Sequence, residues 1–179
     1  MNQELKISRN VIKLESKHLN LCLELDKVAL DQLWTRNQWI HVLSSPEHMK
    51  LGIKRGEEMI ALACASKICD ELHIIALAVH PLHRRNGLGN EILTTLLNNG
   101  KSYGMQSATL EVKSSNGPAN AIYRKLGFNV KGCRKQYFKD GSDALILWLY
   151  FNDQKSRPKD NIGTDFRSHK KQSQSLEQQ

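Results

Sequence analysis

Apolar positions along the chain change period several times, and each change predicts an element boundary. Residues 1–15 alternate weakly through Leu5, Ile7, Val11, Ile12 and Leu14, which predicts a first strand with a frayed start. Leu21, Leu23 and Leu25, followed by Val28, Leu30 and Leu33, give a mixed signal, and a helix is expected around 26–33. Thr35 stands as the N-cap of a second short helix carrying Trp39, Ile40 and Leu43, with Pro46 beyond its end. Residues 49–54 and 59–68 flank Arg55-Gly56-Glu57-Glu58 and read as a hairpin with a glycine turn. Asp70-Glu71 makes a second turn. Residues 72–79 are almost continuously apolar, as expected of a strand buried on both faces.

Past Val79 the period switches. Pro81 stops further ladder pairing. Leu88, Ile92, Leu93, Leu96 and Leu97 then fall on one face of a helix that Gly104 is expected to close in a left-handed conformation. Residues 108–112 read as the next strand. Asn116 looks like an N-cap, with Pro118 in the first turn, and Ile122, Tyr123 and Leu126 line that helix up to Gly127. Residues 128–130 start another strand. Residues 136–138, the turn at 139–142 and residues 144–150 complete a terminal hairpin. After Phe151 Gln, Ser, Lys and Asp dominate, so 153–179 is expected to be a disordered tail behind one α/β (α+β) domain at 1–152.

Composition narrows the class. At 179 residues and 40% hydrophobic, the chain can bury one core. Its formal charge of +8 and pI near 9.4 fit nucleic acid, a ribosome, a membrane surface or an anionic cofactor, and choose none of them. No apolar run approaches the roughly 18 residues of a spanning helix, and the start lacks a signal-peptide core. Cys22, Cys64, Cys69 and Cys133 form no C-x-x-C pair, so free thiols in a reducing cytoplasm are expected. No metal role is expected of His80 and His83.

The chemistry concentrates at two places. Arg84-Arg85-Asn86-Gly87-Leu88-Gly89 joins a strand to a helix N-terminus. The first amides of a helix lack internal partners and carry the positive end of its dipole. Glycines let a bulky anion approach the backbone, and the arginines add charge, so this turn reads as a diphosphate cradle. It has no Gly-Lys-Ser/Thr and lacks the third glycine of a dinucleotide fingerprint. Downstream, Glu111 sits amid apolar strand residues. A buried carboxylate there is costly unless paired or functional, and burial would make it a better base; period two also permits a solvated glutamate. Tyr123 on an apolar helix face can be core or a proton donor, and Asn116 can serve simply as a cap.

Arg-x-x-Gly-x-Gly, from Arg84 to Gly89, resembles the acetyl-coenzyme A pyrophosphate signature of the Gcn5-related N-acetyltransferases. Leu-Glu-Val-Lys-Ser-Ser-Asn (110–116) and Ala-Ile-Tyr-Arg-Lys-Leu-Gly-Phe (121–128) resemble the RimI-type branch of that family. So do Trp34-Thr35, Asp70-Glu71 and Arg-Lys-Gln-Tyr-Phe (134–138). The resemblance implies a GNAT fold, with a central mixed, mostly antiparallel twisted sheet of about six to seven strands flanked by about four helices. It implies that the backbone of Leu77, Ala78 and Val79 meets the acetyl and pantetheine groups. Arg84, Arg85, Asn86, Gly87, Leu88, Gly89 and Asn90 would hold the diphosphate, largely through amides, and Asn116 would contact the cofactor arm. Glu111 would be the general base, through water, and Tyr123 the general acid. The 34–43 segment would wall the acceptor pocket. Ala76 departs from the polar residue that such enzymes commonly carry on the central strand, and Gly117-Pro118 stiffens the loop beside the cofactor.

The implied activity is direct transfer of acetyl from acetyl-CoA, without a metal, to the α-amino group of a protein N-terminus. The branch's usual acceptor is the N-terminal alanine of small-subunit ribosomal protein eighteen. A cytoplasmic monomer or weak dimer is expected, with no specific nucleic-acid binding and no membrane. Two rival readings remain: the same fold acting on a lysine side chain, polyamine or small-molecule amine, and a non-catalytic CoA-binding module on a ribosome or nucleic acid.

Overall fold

The structure, a computed structural model, describes residues 10–151. The expectations for Leu5 and Ile7 and for the 153–179 tail lie outside the described residues. Seven strands form one sheet: β1 (Val11–Lys13), β2 (His48–Arg55), β3 (Glu58–Ile68), β4 (Glu71–Val79), β5 (Ser107–Lys113), β6 (Asn129–Arg134) and β7 (Ala144–Tyr150). Their order is β1-β2-β3-β4-β5-β7-β6, and among the described residues only β4 and β5 pair in parallel. The helices are α1 (Leu19–Ala29), α2 (Arg36–Ser44), α3 (Leu88–Ser102) and α4 (Gly117–Lys125). The α3 connection is the crossover that the parallel pair requires.

Two apolar clusters cover the two faces of the sheet. Leu88, Ile92, Leu93, Leu96 and Leu97 of α3 pack with Leu72, Ile74, Leu110, Val112 and Tyr123. On the other face, Cys22, Leu25, Trp39, Val42 and Leu43 of α1 and α2 pack with Leu62, Cys64, Ala76 and Ala78. β4 therefore contributes Leu72 and Ile74 to one face but Ala76 and Ala78 to the other. A register shift explains this. Cys64 pairs with Ala76 and Ala65 with Ile74, so Ile75 is an extra residue that reverses the alternation. Along β4, fully buried residues alternate with half-buried ones. The expectation of a strand buried on both faces holds: Leu72, Ile74, Leu77 and Val79 pack on one cluster and Ile75, Ala76 and Ala78 on the other, the bulge only shifting which residues fall on each face.

The first helix is also corrected, from 26–33 to Leu19–Ala29. Asp31 and Gln32 take left-handed φ values of 58° and 55°, which no helix continues through. The turn is held by Asp26, a carboxylate 1% exposed. Its Oδ1 accepts from Leu33 N–H at 2.8 Å, and its Oδ2 accepts from Trp34 N–H at 3.1 Å and from Trp39 Nε1 at 2.7 Å. Those three donors fold the chain back so that α2 lies beside α1. Thr35 caps α2 as expected, accepting from Gln38 N–H. At the other end of α2 the buried Lys50 donates its Nζ to the carbonyls of Val42 and Ser45, at 2.9 and 2.5 Å. Desolvation pulls the Lys50 pKa down, while its position matches the negative end of the helix dipole.

The terminal hairpin differs in its first arm. Residues 136–138 are not strand: Gln136 has φ of 51°, and Asn129–Arg134 pairs with β7 instead. That edge strand is mostly exposed, so it lacks the apolar alternation that would announce it.

Replacing Asp26 with Ala strands three N–H donors, two backbone and one indole. The expected cost is about 3 kcal/mol of folding free energy. Urea unfolding of Asp26→Ala against the parent measures it.

Candidate active site

Backbone pairing between β4 and β5 is brief. Glu71, Leu72 and His73 oppose Ser107, Ala108 and Thr109, and there the ladder ends. β4 nevertheless stays paired with β3 as far as Val79, and β5 with β7 as far as Lys113. The two parallel strands therefore diverge and leave a gap in mid-sheet with unpaired inner edges. Backbone donors and acceptors in such a gap need partners, and a bound molecule can supply them. Leu77, Ala78 and Val79 lie on its β4 side. The Val79 carbonyl accepts from Arg84 Nε at 3.3 Å.

α3 begins at the wide end of this gap, just past β4. A short 3-10 turn, Pro81–His83, leads into Arg85 at φ 64° and Gly87 at φ 78°. Gly87 is the N-cap, and no side chain caps the helix. Its carbonyl accepts from Glu91 N–H, so the amides of Leu88, Gly89 and Asn90 precede the first intrahelical bond. At Gly89 an added Cβ would lie 3.0 Å from Ile122 Cδ1 and 3.5 Å from Val79 Cγ2. Glycine there lets α3, α4 and β4 converge. Asn90 Oδ1 is buried without a hydrogen-bond partner among the described residues. Uncapped amides and a left-handed glycine fit a diphosphate-bearing ligand.

The predicted acid and base come from opposite sides. Leu110 and Val112 face the α3 cluster, so Glu111 between them faces the α1–α2 side. The expectation of a buried carboxylate is corrected: Glu111 is exposed, and its Oε1 lies 3.1 Å from Arg134 Nε. An ion pair at the rim answers the cost that motivated burial. Tyr123 is 6% exposed, packs edge-on to Phe128 at 5.8 Å and belongs to the α3-side cluster with Leu110 and Val112. Burial pushes its phenol up to about 12, which keeps it protonated. Asn116 Oδ1 accepts from Ala119 N–H at 3.2 Å, capping α4. That bond engages its oxygen and leaves its amide NH2 for any other contact.

Two groupings escaped the sequence reading. Arg134 lies within the quoted 134–138 segment, yet only the hairpin register places it beside Glu111. Glu58 gathers His80 Nε2 at 3.4 Å and His83 Nε2 at 3.7 Å. These three could be taken for metal ligands. His80 Nδ1 accepts from Leu82 N–H, and Nε2 is the nitrogen that faces Glu58. The cluster brings β3 against the turn before α3.

The divided sheet and the uncapped helix beside it are the architecture of an acyltransferase. The chain belongs to the acetyltransferase (GNAT) family, whose model matches residues 17–128. It is therefore an acetyl-CoA-dependent N-acetyltransferase, with acetyl-CoA as cosubstrate. It is 30% identical over 135 residues to the [ribosomal protein bS18]-alanine N-acetyltransferase of Haemophilus ducreyi, covering 73% of this chain and 92% of that one. The crystal structure of the ribosomal-protein-S18-alanine N-acetyltransferase from Escherichia coli matches with TM-score 0.74 and 26% identity, over 87% of this chain and 99% of that one. PaiA N-acetyltransferase from Thermoplasma acidophilum, solved in complex with coenzyme A, shares the fold at TM-score 0.67 and 18% identity, over 81% of this chain and 100% of that one.

Gly87→Ala forces a side chain into left-handed backbone at about 1–2 kcal/mol. The expected result is CoA binding weakened about tenfold in calorimetry, the distorted cap misplacing the amides. A separate expectation concerns pH. The folded state holds the Tyr123 proton more tightly than the unfolded chain, whose phenol has the ordinary value of 10.0. The stability this lends is full below pH 10.0 and is lost as the pH rises toward about 12. Urea midpoints across that window decline less steeply for Tyr123→Phe.

Proposed function

We propose that the chain acetylates the α-amino group of a protein N-terminus, and that its acceptor is the N-terminal alanine of a ribosomal protein in the cytoplasm. The observation that carries the reading is the disposition of Glu111 and Tyr123 on opposite faces of β5, beside the gap. A molecule threaded through the gap can meet a base on one side and an acid on the other. The acceptor half is supported by the relatives named for a ribosomal-protein alanine, one of them 30% identical over 73% of this chain.

Each residue then has one task. Amides of the Arg85–Asn90 segment, reinforced by Arg84 and Arg85, hold the diphosphate. Backbone along Leu77, Ala78 and Val79 orients the acyl arm, and Asn116 steadies it from the other side. Glu111 takes a proton from the α-ammonium, through water, freeing the amine to attack the thioester carbon. A backbone amide near Val79 stabilises the negative charge that develops on the carbonyl oxygen. Tyr123 gives its proton to the departing sulfur. Holding both substrates side by side supplies proximity, so no covalent enzyme intermediate is needed. Trp34, which packs edge-on to Trp39 at 4.7 Å, walls the acceptor side.

Thiol release from acetyl-CoA tests this with a peptide beginning Ala-Arg-Tyr and the same peptide α-blocked. Turnover only with the free α-amine is expected. Turnover with both moves the acceptor to a lysine side chain or another amine. Glu111→Gln and Tyr123→Phe are each expected to cut kcat about a hundredfold while CoA affinity holds. Equal losses of affinity and turnover would remove these roles.

A further inference from the structure

Glu111 and Arg134 sit on strands that are not neighbours, because β7 lies between β5 and β6. Glu111 opposes Ile146, while Arg134 and Lys113 both oppose Ala144. The guanidinium therefore crosses a whole strand to reach the carboxylate. On the Glu111 face, β7 places Ala144, with only a methyl group, opposite Arg134, and Ile146 opposite Glu111. Arg134 also lies over the Tyr137 ring, 5.3 Å from its centre.

The connection between β6 and β7, residues 135–143, is tied down around this pair. Tyr137 N–H and Phe138 N–H both donate to the Ser142 carbonyl, and Asp143 accepts from Gln136 N–H. Lys113 reaches Asp140 at 2.7 Å and holds its carboxyl well below the usual range. One ion pair thus fastens the loop, and a second the end of β6, to β5 at alternate residues of the Glu111 face. Glu111 and Arg134 have side chains 30% and 44% exposed. A pair so exposed adds little stability, at most about 1 kcal/mol. Its geometry needs another explanation.

We propose that Arg134 is a positioning residue for Glu111: it holds Oε1 across β7 and leaves Oε2 turned toward the acceptor's α-ammonium. This rests on the base role proposed above. The guanidinium fixes a carboxylate that would otherwise sample several rotamers at an open rim. That effect acts on turnover and does not touch the diphosphate site.

The test is a kinetic double-mutant cycle on the full chain with acetyl-CoA and the alanine-initiated peptide. Arg134→Gln is expected to lower kcat about tenfold with KM for acetyl-CoA and the urea midpoint unchanged. Arg134→Lys should recover most of that loss. In a Glu111→Gln background, Arg134→Gln should change kcat by less than about twofold. Equal losses in both backgrounds overturn the proposal, as does a rise in KM for acetyl-CoA at constant kcat. Loss in Glu111→Gln with none in Arg134→Gln overturns the positioning role alone. A Glu111→Gln variant with full kcat removes the base role itself, and the proposal with it.

Discussion

A single extra residue in the central strand governs what the rest of the molecule can do. Side chains along a strand alternate strictly between faces, and Ile75 breaks that count in β4. N-terminal to it, Leu72 and Ile74 anchor the strand under α3. C-terminal to it, Ala76 and Ala78 turn to the α1–α2 layer. Bulges bend the strand that carries them. β4 thereafter follows β3 and leaves β5, which is what opens the sheet.

The divergence of β4 and β5 gives groups on the two faces of the sheet a common opening. Glu111 belongs to one face and Tyr123 to the cluster on the other. The environments differ accordingly. Tyr123 is dry and keeps its proton; Glu111 is at a rim, paired with Arg134. The helix N-terminus at Gly87 stands at the wide end with its amides uncapped. The small residue at position 76 fits the packing: Ala76 is 5% exposed beneath α1 and α2.

Much of this was legible from residue order alone. The Arg84–Gly89 turn, the α3 stripe, the Thr35 and Asn116 caps and the β2–β3 hairpin depend on local chemistry, and local chemistry is written in sequence. What escaped has a common cause. The α1 boundaries depend on Asp26 reaching seven to thirteen residues ahead for its donors. The first arm of the last hairpin is an exposed edge with no apolar rhythm. The environment of Glu111 depends on a partner two strands away. The bulge in β4 leaves no mark on an apolar string that is buried on both faces. Each is a long-range pairing, and periodicity carries no information about those.

The seam between the halves of the sheet has a thermodynamic side. β1 to β4 and β5 to β7 are joined by three opposed residue pairs, together with the helices laid across them. A ligand seated in the gap acts as a partial strand, completing a ladder the chain leaves unfinished. Its binding free energy then adds directly to that of folding, by RT ln(1 + [L]/Kd). A ligand bound there would lend the fold a missing structural element, and stability would rise with its concentration.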